Sequence, residues 1–190
     1  MSQAMARIAD IEDTPNPNAK KFILHEPLTW GIARSYENAG QAQDDPLAAA
    51  LFDIEHVTNV FYVDRWITVT QDGGANWREL SRAVAEPIRA APAADAQSVA
   101  TIAAATTAIA DLSPEDQQRV DNINALLDEH IRPYLRGDGG DLHVIGLDGN
   151  KLAVHYQGAC GSCPSSISGT LAGIENLVQT IEPDIEVVAV

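Results

Sequence analysis

The 190-residue chain sets 12 Lys and Arg against 27 Asp and Glu, a formal net charge of −15 that repels nucleic acid and anionic membrane surfaces alike. A hydrophobic content of 45% with 5% aromatic residues is globular but lean, enough for two small cores, and no run of about 20 apolar residues offers a membrane span. The opening "MSQAMARIADIEDTPNPNAK" meets Asp10, Glu12 and Asp13 without an apolar signal core or an Arg- and Ser-rich leader. That points to a bacterial cytoplasmic protein, or to a mitochondrial matrix protein after removal of its leader.

In chain order, "KFILHEPL" and "IARSY" read as strands, and "DPLAAALFDIEH" as a helix opened by Asp45 and Pro46. "VTNVFYVDRWITVTQDGG" follows as two strands ending at a glycine pair. "NWRELSRAVAEPIRAA" closes the unit as a helix with Trp77, Leu80, Val84 and Ile88 on one face. Residues 90–110 then carry 11 alanines and a single charge, Asp95, which reads as a tether with little apolar surface to bury.

Beyond the tether, Ser113 and Pro114 start a helix in "SPEDQQRVDNINALLDEHIRPYL", with Asp116 placed as a reciprocal cap. Val120, Ile123, Leu127, Ile131 and Tyr134 form its apolar stripe until Pro133 bends or ends it. "LHVIGL", a turn at "DGN" and "KLAVHY" make a hairpin, and Ile167, Leu171, Ile174, Val178 and Ile181 recur at helical spacing before a last strand, "IEVVAV". The expectation is an α+β protein of two small α/β sandwich domains, ββαββα in residues 1–89 and αββαβ in 113–190, joined by the Ala-rich linker 90–112.

Cys160 and Cys163 in "GACGSCPSS" are the only cysteines. This spacing serves a dithiol redox pair, half a zinc site, half an iron–sulfur site or a structural disulfide, the last being least suited to a reducing compartment. Pro164 stands where a proline opens a helix, so both thiols face a helix N-terminus, whose N–H groups favour thiolate or a thiolate-bound anion. From Leu152 to Ile174 no Asp, Glu, Lys or Arg occurs, although 14 acids and four bases follow residue 90. Such a gap spares an anionic cluster from nearby carboxylates and leaves a surface that two like-charged chains can bring together.

A cubane cluster or a four-thiolate zinc site needs four thiolates, and the simplest completion is a second copy of the chain. A Cys₂His₂ site within one chain would need His143 and His155, but both are out of phase with Leu142, Val144, Leu152 and Val154 and are expected to face solvent. Gly169 and Gly173, four apart, are expected to let the last helix approach closely either the sheet, the favoured partner, or a second helix across a symmetry axis. Asp138 and Asp141, in "RGDGGD", read as turn and strand-start residues.

The run "IRPYLRGDGGDLHV" followed by "GACGSCPSS", with "DTPNPNAKKF" and "DPLAAALFDIEHVTNVFYVDRWITVT" before the tether, resembles the Nfu family of iron–sulfur cluster scaffold and carrier proteins, related to NifU through the C-terminal domain. The resemblance implies that Cys160 and Cys163 are cluster ligands, that a [4Fe–4S] cluster bridges a homodimer, and that a [2Fe–2S] form is also open. It further implies an upstream scaffold as donor, apo iron–sulfur proteins as clients, and a carrier in place of an enzyme. Gly161 is expected to permit the tight turn and Pro164 to start the helix behind it. His56 stands where many members have glycine, and Lys20 where they have an apolar residue. The rival readings are a thioredoxin-like dithiol oxidoreductase and a zinc-stapled binding module.

Overall fold

A computed structural model describes residues 4–94, 113–161 and 164–190, with the backbone alone for 164–168, and divides the chain into two compact units. The first contains β1 (Ile8–Asp13), β2 (Ala19–Leu24), β3 (Arg34–Tyr36), α1 (Pro46–Phe52), β4 (Val57–Val63), β5 (Trp66–Gln71) and α2 (Trp77–Ala90). The strands form one antiparallel sheet in the order β1-β2-β5-β4-β3. Phe22 and Leu24, Val60 and Tyr62, and Ile67 and Val69 alternate along their strands, as a sheet face requires. They pack with Leu51 of α1 and with Leu80, Val84 and Ile88 of α2 in one core.

The observed order, βββαββα, has one strand more than expected. β1 reads poorly as a strand because it is an edge: its residues run from half-buried Ile8 to fully exposed Asp13, with no buried position to mark a period of two. Helix α1 also stops at Phe52, four residues short of His56, which adopts φ +76°. That left-handed backbone explains why glycine suits the position. The ring is held there by the Asp72 carboxylate, 3.1 Å from Nδ1. The Lys20 ammonium reaches Asp13 and lies 5.7 Å from the centre of the Trp77 ring.

Asp45 anchors α1. Its side chain accepts from the N–H groups of Leu47 and Ala48, from Arg34 at 2.9 Å, from the Tyr36 hydroxyl at 2.7 Å and from the Tyr62 hydroxyl. Burial by itself would push this carboxyl up, but the donors, Tyr62 and the Ala48 N–H foremost, outweigh it and hold it below the usual range. After α2 the chain stays with this unit: Ala93 N–H donates to Ala4 O and Ala94 N–H to Pro27 O, both at 2.8 Å. The rest of the Ala-rich stretch, residues 95–112, lies outside the described residues.

The second unit contains α3 (Pro114–His130), α4 (Arg132–Gly137), β6 (Gly140–Asp148), β7 (Lys151–Gly158), α5 (Pro164–Val178) and β8 (Glu186–Ala189). Ser113 caps α3 through its hydroxyl, which accepts from the Asp116 N–H and donates to the Asp116 carboxylate. β6 and β7 form the antiparallel hairpin, and β8 pairs parallel to β7 after the α5 crossover. One face of this three-stranded sheet, with Leu142, Val144, Leu152, Val154, Tyr156 and Val187, packs with Val120, Ile123 and Leu127 of α3 and Ile174 and Val178 of α5. The helix expected to bend or end at Pro133 breaks two residues earlier, at Ile131, with Pro133 in the first turn of α4. The break turns Tyr134 away from the stripe it was expected to extend, leaving it 76% exposed while Leu135 is buried.

Candidate functional site

β6 begins and β7 ends at one place, since Gly140 pairs with Gly158, and there the chain leaves the sheet toward α5. The turn is tied back by Ala159 N–H to Gly139 O at 3.1 Å and by Gly161 N–H to Gly158 O at 3.2 Å. Cys160 sits in this turn, only 5% exposed and part of the core of the unit. Two glycines make the close packing possible. A Cβ on Gly140 would lie 2.6 Å from Cys160 Sγ, and one on Gly161 would lie 2.9 Å from Tyr156 O. The role expected of Gly161 is therefore matched by the backbone, while that of Gly140 is new. Its signal is the glycine run in "RGDGGD", which marks a turn but not the sulfur beside it.

Ser162 and Cys163 lie outside the described residues, and Pro164, the next residue, is the first of α5. The turn thus delivers the chain to the N-terminus of a 15-residue helix, whose exposed N–H groups favour negative charge on sulfur. No Asp or Glu occurs in the first turn of α5 to compete for that role.

Asp141, next to Gly140, is 2% exposed and held by Arg136 Nε at 3.0 Å and Arg132 Nε at 3.7 Å. Arg132 also bonds Asp128 at 2.5 Å, Asn124 at 2.9 Å and Leu142 O at 3.3 Å, so α3 and α4 are clamped onto the start of β6. Asp138 is the C-terminal cap of α4. Both acids are thus structural residues of the turn and strand start.

His143 and His155 are partners in register across β6 and β7 and lie on the sheet face opposite Leu142, Val154 and Tyr156. Gly140 is two residues from Leu142, so Cys160 Sγ, which lies over it, is on the core face. The histidines and Cys160 are therefore on opposite faces of the sheet. His155 Nδ1 is 2.8 Å from Val190 O. Among the described residues no three His, Cys, Asp or Glu side chains gather at a point fit for a metal ion.

Gly169 and Gly173 do not bring α5 close to the sheet. A Cβ on either would meet nothing within 4 Å, because both lie on the open side of the helix while Ile174 and Val178 fill the core.

Tyr156, four residues before Cys160, is also 5% exposed, and its hydroxyl has no hydrogen-bond partner among the described residues. Burial, together with the nearby Cys160 sulfur, pushes its pKa up to about 12. Alternation along β7 marked Tyr156 as a core residue; nothing in the sequence marked its hydroxyl as unsatisfied.

Residues 8–94 match the family described as "Scaffold protein Nfu/NifU N terminal", and residues 123–189 match the "NifU-like domain". The human mitochondrial protein named "NFU1 iron-sulfur cluster scaffold homolog" is 36% identical over 177 residues, 92% of this chain and 68% of that protein. The chain belongs to the Nfu/NifU family. The protein of the same name from Drosophila erecta is 33% identical over 182 residues, 92% of this chain and 62% of its own length. Among solved structures, the NifU-like protein of Saccharomyces cerevisiae is 22% identical, covers 47% of this chain and 81% of its own, and has a TM-score of 0.41. The two Nfu/NifU matches fall one in each compact unit, and the second contains the cysteine turn. Among the described residues no helix is long and apolar enough to cross a membrane.

Proposed function

We propose that this chain is an iron–sulfur cluster scaffold and carrier in which Cys160 and Cys163 of two copies hold one [4Fe–4S] cluster between them and release it to apo-proteins. The observation that carries the reading is the Cys160 turn: a thiol packed on Gly140, three residues from the second cysteine, at the entry to α5 in an Nfu/NifU domain. A chain with two cysteines supplies two of the four thiolates such a cluster takes, so a homodimer is the smallest complete holder. The same four thiolates also suit a [2Fe–2S] cargo.

Transfer follows from the ligand count. Incoming client thiolates replace the cysteines of each copy in turn, one iron–sulfur bond forming as one breaks, and the cluster leaves with its oxidation state unchanged. The protein is then a carrier and not an enzyme. The first unit, which has no cysteine, serves recognition of clients or of the upstream scaffold, and its tether raises the local concentration of cargo beside a docked client. A bacterial cytoplasm or a mitochondrial matrix keeps such thiols reduced.

Anaerobic reconstitution with iron and sulfide, followed by iron, sulfide and zinc assays and light scattering, tests this reading. About two irons per chain in a dimer are expected, with Cys160→Ser and Cys163→Ser each abolishing uptake. Tightly bound zinc in place of iron would refute the carrier reading, and a monomer with a full cluster would refute sharing.

A further inference from the structure

Helices α3 and α5 both pack on the face of the second unit's sheet that carries Leu142, Val154 and Tyr156. On the opposite face, His143 and His155 stand directly across from each other on β6 and β7, the first exposed and the second half-buried. Side chains paired in this way have Cβ atoms about 4.5–5.5 Å apart, close enough for two imidazoles to meet one ion at about 2.0–2.1 Å from a nitrogen of each. The His155 ring is already oriented. Its Nδ1 lies 2.8 Å from Val190 O, and because a carbonyl only accepts, Nδ1 of the neutral ring carries the proton and Nε2 keeps the lone pair. Metal-binding histidines are set in this manner, with the second nitrogen tied to a carbonyl.

Gln157 adds an independent observation on the same face. It is two residues along β7 from His155 and diagonal to His143, since its own register partner is Asp141. Its Oε1 is buried and has no hydrogen-bond partner among the described residues. An unmet buried acceptor is costly, and a cation satisfies it. The bases of residues 113–190 do not oppose a bound cation, for each is held by a carboxylate: Arg119 by Glu182, Arg132 by Asp128, Arg136 by Asp141 and Lys151 by Glu186. The net charge of −15 draws cations to the chain.

We propose that the imidazoles of His143 and His155 and the side-chain oxygen of Gln157 form a cation site, on the sheet face away from Cys160, for one divalent first-row transition ion such as Zn²⁺. Two nitrogens and one oxygen leave the fourth tetrahedral position to water. Imidazole donors select such ions over Mg²⁺ and Ca²⁺, which take oxygen ligands. The third donor is an amide oxygen, since no third His, Cys, Asp or Glu joins the pair among the described residues. The site ties β6 to β7 and stands apart from the carrier reading.

The test uses the untagged full chain with Cys160→Ser and Cys163→Ser, so that thiols take no zinc. Calorimetric titration with zinc chloride is expected to show one ion per chain, weakened at least about tenfold by each of His143→Asn, His155→Asn and Gln157→Met and unchanged by His25→Asn. Absence of binding, or parent affinity in any of the first three variants, overturns the proposal. A second measurement keeps the cysteines. In the unmutated chain, Co²⁺ beyond what the thiols take is expected to broaden the ring-proton resonances of His143 and His155 before those of His25, His56 and His130. Equal broadening of all five overturns the site. Neither readout depends on iron uptake.

Discussion

Replacing Gly140 with Ala would place a methyl carbon 2.6 Å from Cys160 Sγ, 3.0 Å from Cys160 Cβ and 2.7 Å from Gln157 O. Ordinary contact begins near 3.5 Å, so the sulfur must retreat by about 0.9 Å. The Gln157 carbonyl is backbone of β7 and cannot swing aside. Overpacking of this kind costs about 1–3 kcal/mol, while the less flexible unfolded chain returns about 0.4–1 kcal/mol, leaving a net loss of up to about 2.6 kcal/mol. The displaced turn should also expose Cys160 and speed its alkylation. Trp30, Trp66 and Trp77 all belong to the first unit, so tryptophan fluorescence is blind to this change. Hydrogen exchange at the β6 and β7 amides in urea reads the second unit directly. Gly169→Ala is the control: with open space around it and a helical backbone, it should gain about 0.5–1 kcal/mol. The reasoning fails if Gly140→Ala leaves β6 and β7 as protected as before and Cys160 alkylated at the parent rate.

Two further predictions concern the first unit, where tryptophan fluorescence is the right probe. Asp45→Asn should cost about 1–3 kcal/mol at pH 7, since Arg34 is partly exposed but the two tyrosine hydroxyls are held to this carboxylate. Because folding lowers the Asp45 pKa, its contribution is complete above the unfolded value of about 3.9 and disappears as pH falls through the folded one. Parent and variant should therefore begin to converge in urea midpoint as pH falls below about 4, and a constant gap from pH 7 to 3 would contradict this. At His56, φ +76° makes His56→Val cost at least about 1 kcal/mol, whereas His56→Gly should change stability by under about 0.5 kcal/mol as relief of strain offsets the lost Asp72 contact. Equal losses for the two variants would show that the backbone does not matter there.

The elements with a buried face were legible because burial writes a period into the chain. Leu80, Val84 and Ile88 gave α2 its place, and Leu152, Val154 and Tyr156 gave β7 its register. β1 left no such mark, being exposed along nearly its whole length. The split of the first C-terminal helix at Ile131 was half visible in Pro133, but which way Tyr134 would turn depends on the Arg132 clamp to Asp128, Asn124 and Leu142 O, a contact set that spacing does not encode. Gly169 and Gly173 misled as to the sheet alone, which does not lie opposite them. At the cysteine turn the spacing and Pro164 announced the thiols. The need for Gly140 and the unsatisfied Tyr156 hydroxyl arise where two ends of a hairpin meet, and appear only once β6 and β7 are in register.

The exposed β1 has a consequence for crowded solutions. It is one rim of the five-stranded sheet, and the other is β3, only three residues long. A flat rim invites a neighbouring molecule to add its own strand. If two copies paired antiparallel along β1 about Ile11, Asp10 of each would stand opposite Glu12 of the other, setting like charges face to face. Lys21 and Lys20 lie beside Glu12 and Asp13 on the inner partner strand and leave Asp10 unmatched. The acids that make this segment hard to recognise as a strand thus act as a guard against side-by-side self-association, keeping concentrated copies from growing into ribbons along their sheets.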